Sequence, residues 1–211
     1  MVKLYIVRHA ESEWNPIGRY QGLLDPELSE LGRMQATRLG DFFRDVHIDV
    51  VYSSPLKRTY QTALEIGRVK GLPVMEERRV IEIDHGKWSG LLVNEVQRLY
   101  PEEFRLWLEE PHKVSFEGGE SLQDVYLRVK SFLEEIKEKH WGQSLVVVSH
   151  TVPIRAMYCA LLKVDLSKFW SFGCDNASFS LVHMEGDRNV IIRLNITCHL
   201  GEFYVEAHRA L

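Results

Sequence analysis

The sequence predicts an α/β protein with three layers, in which a mostly parallel central sheet has helices on both faces. Short apolar strands alternate with amphipathic helices along the chain, as in consecutive strand–helix–strand units. The segment 145–148 is apolar at every position, as expected of a central parallel strand buried on both faces. Two strands near the C-terminal end have the pattern of a hairpin, which predicts one antiparallel edge strand.

The N-terminal half begins with a buried strand at 2–7, followed by a loop at 10–28 that is rich in Gly, Pro, Asn and Asp. Ser29 is a predicted N-cap of the first helix. The apolar stripe of that helix is predicted to comprise Leu31, Met34, Leu39, Phe42, Phe43 and Val46. A second strand at 48–52 leads to Ser54-Pro55, which predicts a helix with Ser as N-cap and Pro at its first position.

The C-terminal half contains the longest predicted helix, which begins after Ser121. Its buried stripe is predicted to comprise Leu122, Val125, Val129, Phe132, Leu133 and Ile136. The other elements predicted here are a short strand near Val74, helices at 93–99, 102–109 and 153–162, and paired strands at 178–184 and 190–196.

Composition narrows the class of protein. The 211 residues suit one domain, 1–211, and 45% of them are hydrophobic, which is enough for a core. A net charge of −4 argues against a nucleic-acid or membrane-surface partner. Three widely spaced cysteines without a CxxC pair, no signal-peptide pattern and no apolar run of transmembrane length predict a cytoplasmic protein.

Three predicted strands are each followed by arginine or histidine. Arg8-His9 follows the first strand, Arg58 lies just beyond the second, and His150 follows the strand at 145–148. Ligands of such sheets bind beyond the carboxyl ends of the strands, so these side chains should converge on one crevice. Guanidinium groups match phosphate oxygens, and the sequence therefore predicts a phosphate pocket.

The chemistry predicted for this pocket is phosphoryl transfer without a metal or cofactor. The chain has no GxxxxGK[ST] loop, no HExxH motif and no acidic cluster of the magnesium-binding type. A phosphatase without a metal needs a protein nucleophile, for which the imidazole of His9 is the best candidate. Glu82, in VIEIDHGKWSG, is the candidate acid that protonates the leaving group and later activates water, because its apolar neighbours should raise its pKa.

These motifs, taken in order, resemble those of the histidine phosphatase superfamily, also called the phosphoglycerate mutase-like family. The matching segments are RHA at 8–10, Asn15, GR at 18–19, QG at 21–22, PELSELGRMQA, SSPLKRTYQTA, EIDHGKWSG and VVVSHTVPIR. They cover essentially the whole chain. The resemblance implies a phosphoglycerate mutase-like fold and a homodimer. The sequence departs from the usual family pattern at two positions, Ala10 and Thr151, where glycine is common.

The resemblance also implies a role for each matching residue. His9 would be the phosphorylated nucleophile and Glu82 the proton donor. The expected phosphate contacts are Arg8, Asn15, Arg58 and His150. Two readings stay open for Gln21 and Gly22: they face the substrate through a side chain or a backbone group, or they only shape a turn.

Within the family, several stretches are most similar to the metal-independent phosphoserine phosphatases, among them EEPHKVSFEGGES and SKFWSFGCDNASFS. This resemblance implies hydrolysis of phosphoserine. His85 stands where relatives often carry an aromatic residue, and we expect it to contact the substrate carboxylate with help from the C-terminal tail; the alternative is a residue that only forms the pocket wall. The alternatives are a broad-specificity phosphatase, a cofactor-dependent phosphoglycerate mutase and an inactive module that only binds a phosphorylated ligand. The mutase is disfavoured because the segment 82–111 is short and lacks the capping insertion of that branch.

Overall fold

A six-stranded sheet forms the centre of the molecule in a computed structural model that describes residues 1–206. The strands are β1 (Val2–Arg8), β2 (Val50–Ser53), β3 (Val74–Glu76), β4 (Ser144–Ser149), β5 (Phe179–Glu185) and β6 (Arg188–Ile196). Their order is β3-β2-β4-β1-β5-β6, and β3, β2, β4 and β1 are parallel to one another. The predicted mostly parallel sheet is thus confirmed.

Helices cover both faces of the sheet. They are α1 (Glu30–Phe43), α2 (Lys57–Lys70), α3 (Val93–Leu99), α4 (Pro101–Glu109), α5 (Leu122–Lys139) and α6 (Thr151–Leu162). Alternate residues of β4 pack in opposite directions: Val146 and Val148 lie in the core shared with α1 and α2, whereas Leu145 and Val147 lie in the core shared with α5 and α6. This arrangement confirms the predicted three layers.

Strand register places the carboxyl ends of β1, β2 and β4 at one edge of the sheet. Arg8 pairs with Ser149, and Ser53 pairs with Val148. The alignment continues beyond the strands, because the His9 amide donates to the Ser149 carbonyl at 3.0 Å. The residues that follow all three strands therefore start from neighbouring positions, as the sequence predicted.

The antiparallel strand is not at the edge, contrary to the sequence prediction. β5 runs antiparallel to both of its neighbours, β1 and β6, and β6 forms the edge. The hairpin explains the difference. β5 is the strand of the pair that docks on β1, and β6 then pairs with its other side, so β5 becomes internal. β6 then follows it in the opposite direction, parallel to β1.

The buried face of α1 also differs from the prediction. Met34 is 40% exposed, whereas Gln35 and Ala36 are buried. The helix packs closely on the loop after β1: a side chain at Gly32 would collide with the Glu11 carbonyl, and the Gln35 amide oxygen accepts from the Glu11 amide. Small and polar residues are therefore needed on this face. A prediction based on the spacing of large apolar residues could not identify it as the buried face.

The sequence predicts a serine at the start of three helices, and two of these serines cap a helix in the structure. The Ser29 hydroxyl accepts from the Gly32 amide and caps α1, and Ser121 forms a capping box with Asp124 at the start of α5. The predicted cap at Ser54 is wrong, because α2 begins at Lys57 and Leu56 is its N-cap residue. None of the helices described over residues 1–206 is long and apolar enough to cross a membrane.

Candidate active site

His9 lies at the end of β1 with its imidazole held in one orientation. Its Nδ1 is 2.7 Å from the Ala10 carbonyl oxygen, which can only accept, so Nδ1 carries a proton when the ring is neutral. Burial first, and then the Arg58 and Arg8 charges, lower the pKa of His9 well below its ordinary value. The ring is therefore neutral at pH 7, with a lone pair on Nε2.

Two buried guanidinium groups flank this ring, and both are fixed by backbone carbonyls. Arg8 Nη1 donates to the Cys174 carbonyl at 2.7 Å. Arg58 donates through Nη1 to the Leu24 carbonyl at 2.9 Å and through Nη2 to the Gly22 carbonyl at 3.0 Å. Burial lowers the pKa of Arg58 to about 10, so it remains charged at neutral pH. The two cations keep donors unused by these contacts and are suited to a phosphate.

His150 directly follows β4 and is fully buried, with its ring centroid 5.2 Å from that of His9. Its Nε2 lies 2.8 Å from the hydroxyl of Ser54, the residue that the sequence analysis predicts as the N-cap of the second helix. Burial, followed by the charge of Arg58, lowers the pKa of His150 well below its ordinary value. A second neutral imidazole thus lies next to the first.

Glu82 lies in the cleft that these side chains line, and within residues 1–206 it is the one lining residue that carries a carboxyl group. Only 7% of the residue is exposed, and its Oε1 accepts from the Ile83 amide at 2.9 Å. Burial raises the pKa of Glu82, while that amide and the charges of Arg58 and Arg8 act in the opposite direction. The direction of the shift agrees with the prediction from its apolar neighbours and favours a protonated acid.

Residues of the loop after β1 complete the polar wall. The Asn15 amide oxygen accepts from the Ser12 amide at 2.8 Å, which leaves the Asn15 Nδ2 donor for the cleft. The Gln21 amide oxygen is held by the Ser12 hydroxyl at 2.9 Å. Gly22 has a φ of +50°, and a side chain there would approach the Ser89 hydroxyl within 2.7 Å, so the backbone at this point requires glycine.

His85 lies on an aromatic part of the wall. Its ring centroid is 5.0 Å from those of Tyr20 and Phe116 and 6.3 Å from that of Trp107. Burial first, and then the Arg58 charge, lower the pKa of His85 to about 3, so the ring is neutral. Its Nδ1 is buried and has no hydrogen-bond partner in the part of the chain that the structure describes.

A single cleft brings most of the predicted site residues together. Eight of the nine line it: Arg8, His9, Asn15, Gln21, Gly22, Arg58, Glu82 and His85. His150 does not line the cleft, but its ring lies next to that of His9. Other lining residues were not predicted as site residues, notably Arg19, Tyr20, Trp107, Thr151 and Val152. Arg19 was visible in the motif GR at 18–19, although its position in the loop gave no indication that it faces the cleft.

The two departures from the usual glycine pattern have a place in this geometry. The Ala10 amide donates to the Thr62 hydroxyl at 3.0 Å, and its methyl group is buried in a small cluster with Leu28 and Ala36. Thr151 lines the cleft as the first residue of α6. Over residues 1–206, no three side chains of His, Cys, Asp or Glu are grouped in a way that could hold a metal ion.

Comparisons with known proteins agree with the site. Residues 4–197 match the model of the histidine phosphatase superfamily (branch 1). The chain is 71% identical to phosphoserine phosphatase 1 of Hydrogenobacter thermophilus over 211 residues, which is the full length of both proteins. Among solved structures, Bacillus stearothermophilus YhfR has a TM-score of 0.90 at 27% identity, covering 95% of this chain and 100% of that one.

A further solved structure contains a ligand. It is a His→Ala mutant of phosphoserine phosphatase from Entamoeba histolytica in complex with phosphoserine. Its TM-score is 0.85 at 26% identity, and the match covers 95% of this chain and all of the other.

Proposed function

Because the chain belongs to the histidine phosphatase superfamily, we propose that it hydrolyses O-phospho-L-serine to L-serine and inorganic phosphate through a phosphohistidine. The observation that carries the reaction is the neutral imidazole of His9: the Ala10 carbonyl holds its Nδ1–H, and burial with the charges of Arg58 and Arg8 lowers its pKa. The choice of substrate is supported by the relative at 71% identity that is named a phosphoserine phosphatase. The three-layer fold is the one expected of this phosphoglycerate mutase-like family.

The first step is attack by His9 Nε2 on phosphorus, which forms the N–P bond as the bond to the serine oxygen breaks. The leaving oxygen takes the proton of Glu82, because an alkoxide is a poor leaving group. Charge on the three equatorial oxygens of the transferring group is stabilised by Arg8, Arg58 and His150, with Asn15 as a further contact. Removing one such donor typically costs about 3 kcal/mol in the barrier.

The second step is hydrolysis of the phosphohistidine. Glu82, now a carboxylate, takes a proton from water as the water oxygen attacks phosphorus. The N–P bond breaks, phosphate leaves, and both His9 and the Glu82 acid are restored. Gln21 and the backbone of Gly22 would orient the substrate, and the observation that both residues line the cleft supports this role.

We expect rapid release of phosphate from phosphoserine that is insensitive to EDTA. The purified chain is offered phosphoserine and 3-phosphoglycerate separately, and inorganic phosphate and positional isomers are both followed. Isomerisation of phosphoglycerate would instead identify a mutase, and comparable turnover of many esters would identify a broad-specificity phosphatase. Binding of phosphoserine without phosphate release would identify an inactive binding module, and loss of turnover in EDTA would contradict the metal-free mechanism.

We propose that His85 donates a hydrogen bond to the substrate carboxylate. Its neutral ring lines the cleft on the wall formed with Tyr20 and Trp107. A hydrogen bond to a charged group contributes about 1.5–3 kcal/mol, so His85→Ala should lower kcat/KM for phosphoserine by roughly tenfold to a hundredfold. The value for p-nitrophenyl phosphate, which has no carboxylate, should change much less. Help from the C-terminal tail was also predicted, but its last five residues lie outside the described part of the chain.

The control for this selectivity is His47→Ala, since the His47 side chain is 80% exposed and His47 is not among the residues that line the cleft. It should leave both substrates unaffected. Equal losses on phosphoserine and p-nitrophenyl phosphate in His85→Ala would reject the carboxylate contact and assign His85 to the cleft wall alone.

We further propose one domain over 1–211, a homodimer, and a cytoplasmic protein with no nucleic-acid or membrane partner. The net charge of −4 and the family resemblance support these assignments. Light scattering of the purified chain would show twice the mass of 24.6 kDa, and a monomer mass would contradict the dimer.

A further inference from the structure

Ser54 is a buried serine whose hydroxyl does not serve the helix that follows it. The residue is inaccessible to solvent, and α2 begins three positions later at Lys57. Instead, its Oγ lies 2.8 Å from Nε2 of His150, a residue 96 positions away in the chain. This contact joins the segment after β2 to the segment after β4.

The surroundings of Ser54 favour one direction for this hydrogen bond. The Leu56 amide can only donate, and it approaches the Ser54 Oγ at 3.4 Å. The hydroxyl has one proton of its own, and within residues 1–206 the His150 Nε2 is the acceptor that lies within hydrogen-bond distance of it. Donation from Ser54 to Nε2 therefore satisfies both groups.

That direction has a consequence for the imidazole. Burial and the nearby charges of Arg58 and Arg8 keep His150 neutral, and a neutral imidazole carries one proton on one of its two nitrogens. If Nε2 accepts from Ser54, the proton must be on Nδ1. In the described part of the chain, Nδ1 of His150 is a buried atom without a hydrogen-bond partner.

We propose that Ser54 is a positioning residue that donates to Nε2 of His150 and thereby keeps the ring proton on Nδ1, ready for an oxygen of the transferring phosphoryl group. This inference rests on the proposed function. The opposite tautomer would present a lone pair to a negatively charged oxygen, so His150 would repel the group that it is there to stabilise.

The tautomer can be observed directly in the resting enzyme. The full chain is labelled with ¹⁵N-histidine, and long-range ¹H–¹⁵N correlation spectra are assigned for His150 through His150→Gln. The expected result is a protonated Nδ1 and an unprotonated Nε2 in the wild type. A proton on Nε2 overturns the proposal, and because no substrate is present, this outcome is independent of whether phosphoserine is hydrolysed.

Substitution of Ser54 then tests the consequence for turnover. Ser54→Ala should move His150 toward the Nε2–H tautomer and lower kcat for phosphoserine by roughly tenfold to a hundredfold, with a smaller change in KM. Ser54→Thr, which keeps a hydroxyl, should retain the wild-type tautomer and most of kcat. An unchanged tautomer and an unchanged kcat in Ser54→Ala would overturn the proposal.

The matched control is Ser149→Ala, which removes another buried hydroxyl beside His150. The Ser149 Oγ donates its proton to the Val80 carbonyl at 2.7 Å, and among the described residues no hydrogen bond joins it to the His150 ring. Its loss should lower thermal stability without changing the His150 tautomer. If both Ser54 variants fail to fold, the wild-type spectrum still decides between the two tautomers.

Discussion

Replacing His9 with alanine is expected to abolish turnover while phosphoserine still binds. The substitution removes the atom that accepts the phosphoryl group, and loss of a covalent nucleophile costs roughly 10⁵-fold or more in kcat. Arg8 and Arg58 are held by backbone carbonyls rather than by His9, so the phosphate pocket persists. Steady-state phosphate release measures turnover, and calorimetric titration with phosphoserine measures binding. We expect a Kd within about tenfold of the wild-type value.

The same variant locates the covalent intermediate. Wild-type protein mixed with ³²P-phosphoserine and quenched in alkali should carry label on residue 9, and His9→Ala should carry none. His183→Ala is the control that should label normally, because this half-buried residue of β5 does not line the cleft. Label on another residue, or substantial turnover by His9→Ala, would refute the phosphohistidine mechanism.

Glu82→Gln is expected to have the next largest effect, and the size of that effect should depend on the leaving group. Glutamine keeps the shape of the side chain but cannot supply a proton to the serine oxygen. General acid catalysis contributes about 10²–10⁴-fold, so kcat for phosphoserine should fall by that factor. Cleavage of p-nitrophenyl phosphate needs little protonation, and its phosphorylation step, followed as a burst of p-nitrophenol, should be nearly unaffected.

The pH dependence of phosphoserine turnover should reflect the ionisation of Glu82 and of His9. The acid form of Glu82 exists below its pKa, and burial raises that pKa, which extends the protonated range upward. The nucleophile is the neutral form of His9, which exists above a pKa that burial and two arginines lower. Turnover of phosphoserine should therefore decline on the alkaline side as Glu82 ionises, with the acidic limb well below pH 6.5.

Glu82→Gln should remove the alkaline decline in the phosphorylation step, because no acid remains to be titrated. The exposed Glu117→Gln serves as the control and should reproduce the wild-type profile. A profile of Glu82→Gln that still falls on the alkaline side would assign that limb to another group and reject Glu82 as the acid.

Strand-end residues could be predicted from the sequence because they follow from the regular part of the fold. Apolar runs identified β1 and β4, and the alternation with helices predicted that their carboxyl ends meet at one edge. That reasoning found His9 and His150, whose rings lie 5.2 Å apart. Glu82 was found through its apolar neighbours, since burial is what raises its pKa.

Residues of the irregular loop at 10–28 could be identified only through the family resemblance. Asn15, Gln21 and Gly22 follow no strand or helix periodicity, so nothing local indicates which of them face the cleft. Arg19 lies in the same loop and was missed for that reason. The partner of Ser54 was also beyond local reasoning, because a hydrogen bond to a residue 96 positions away leaves no pattern around either residue.

The backbone carbonyls that hold the two cleft arginines have a further consequence for each reaction cycle. Arg8 is tethered at Cys174, and Arg58 at Gly22 and Leu24, by contacts that need no ligand. The rotational freedom of these long side chains is lost once, as the chain folds, and not again each time an oxyanion arrives. Each substrate molecule should therefore bind to guanidinium groups that are already oriented for a phosphate.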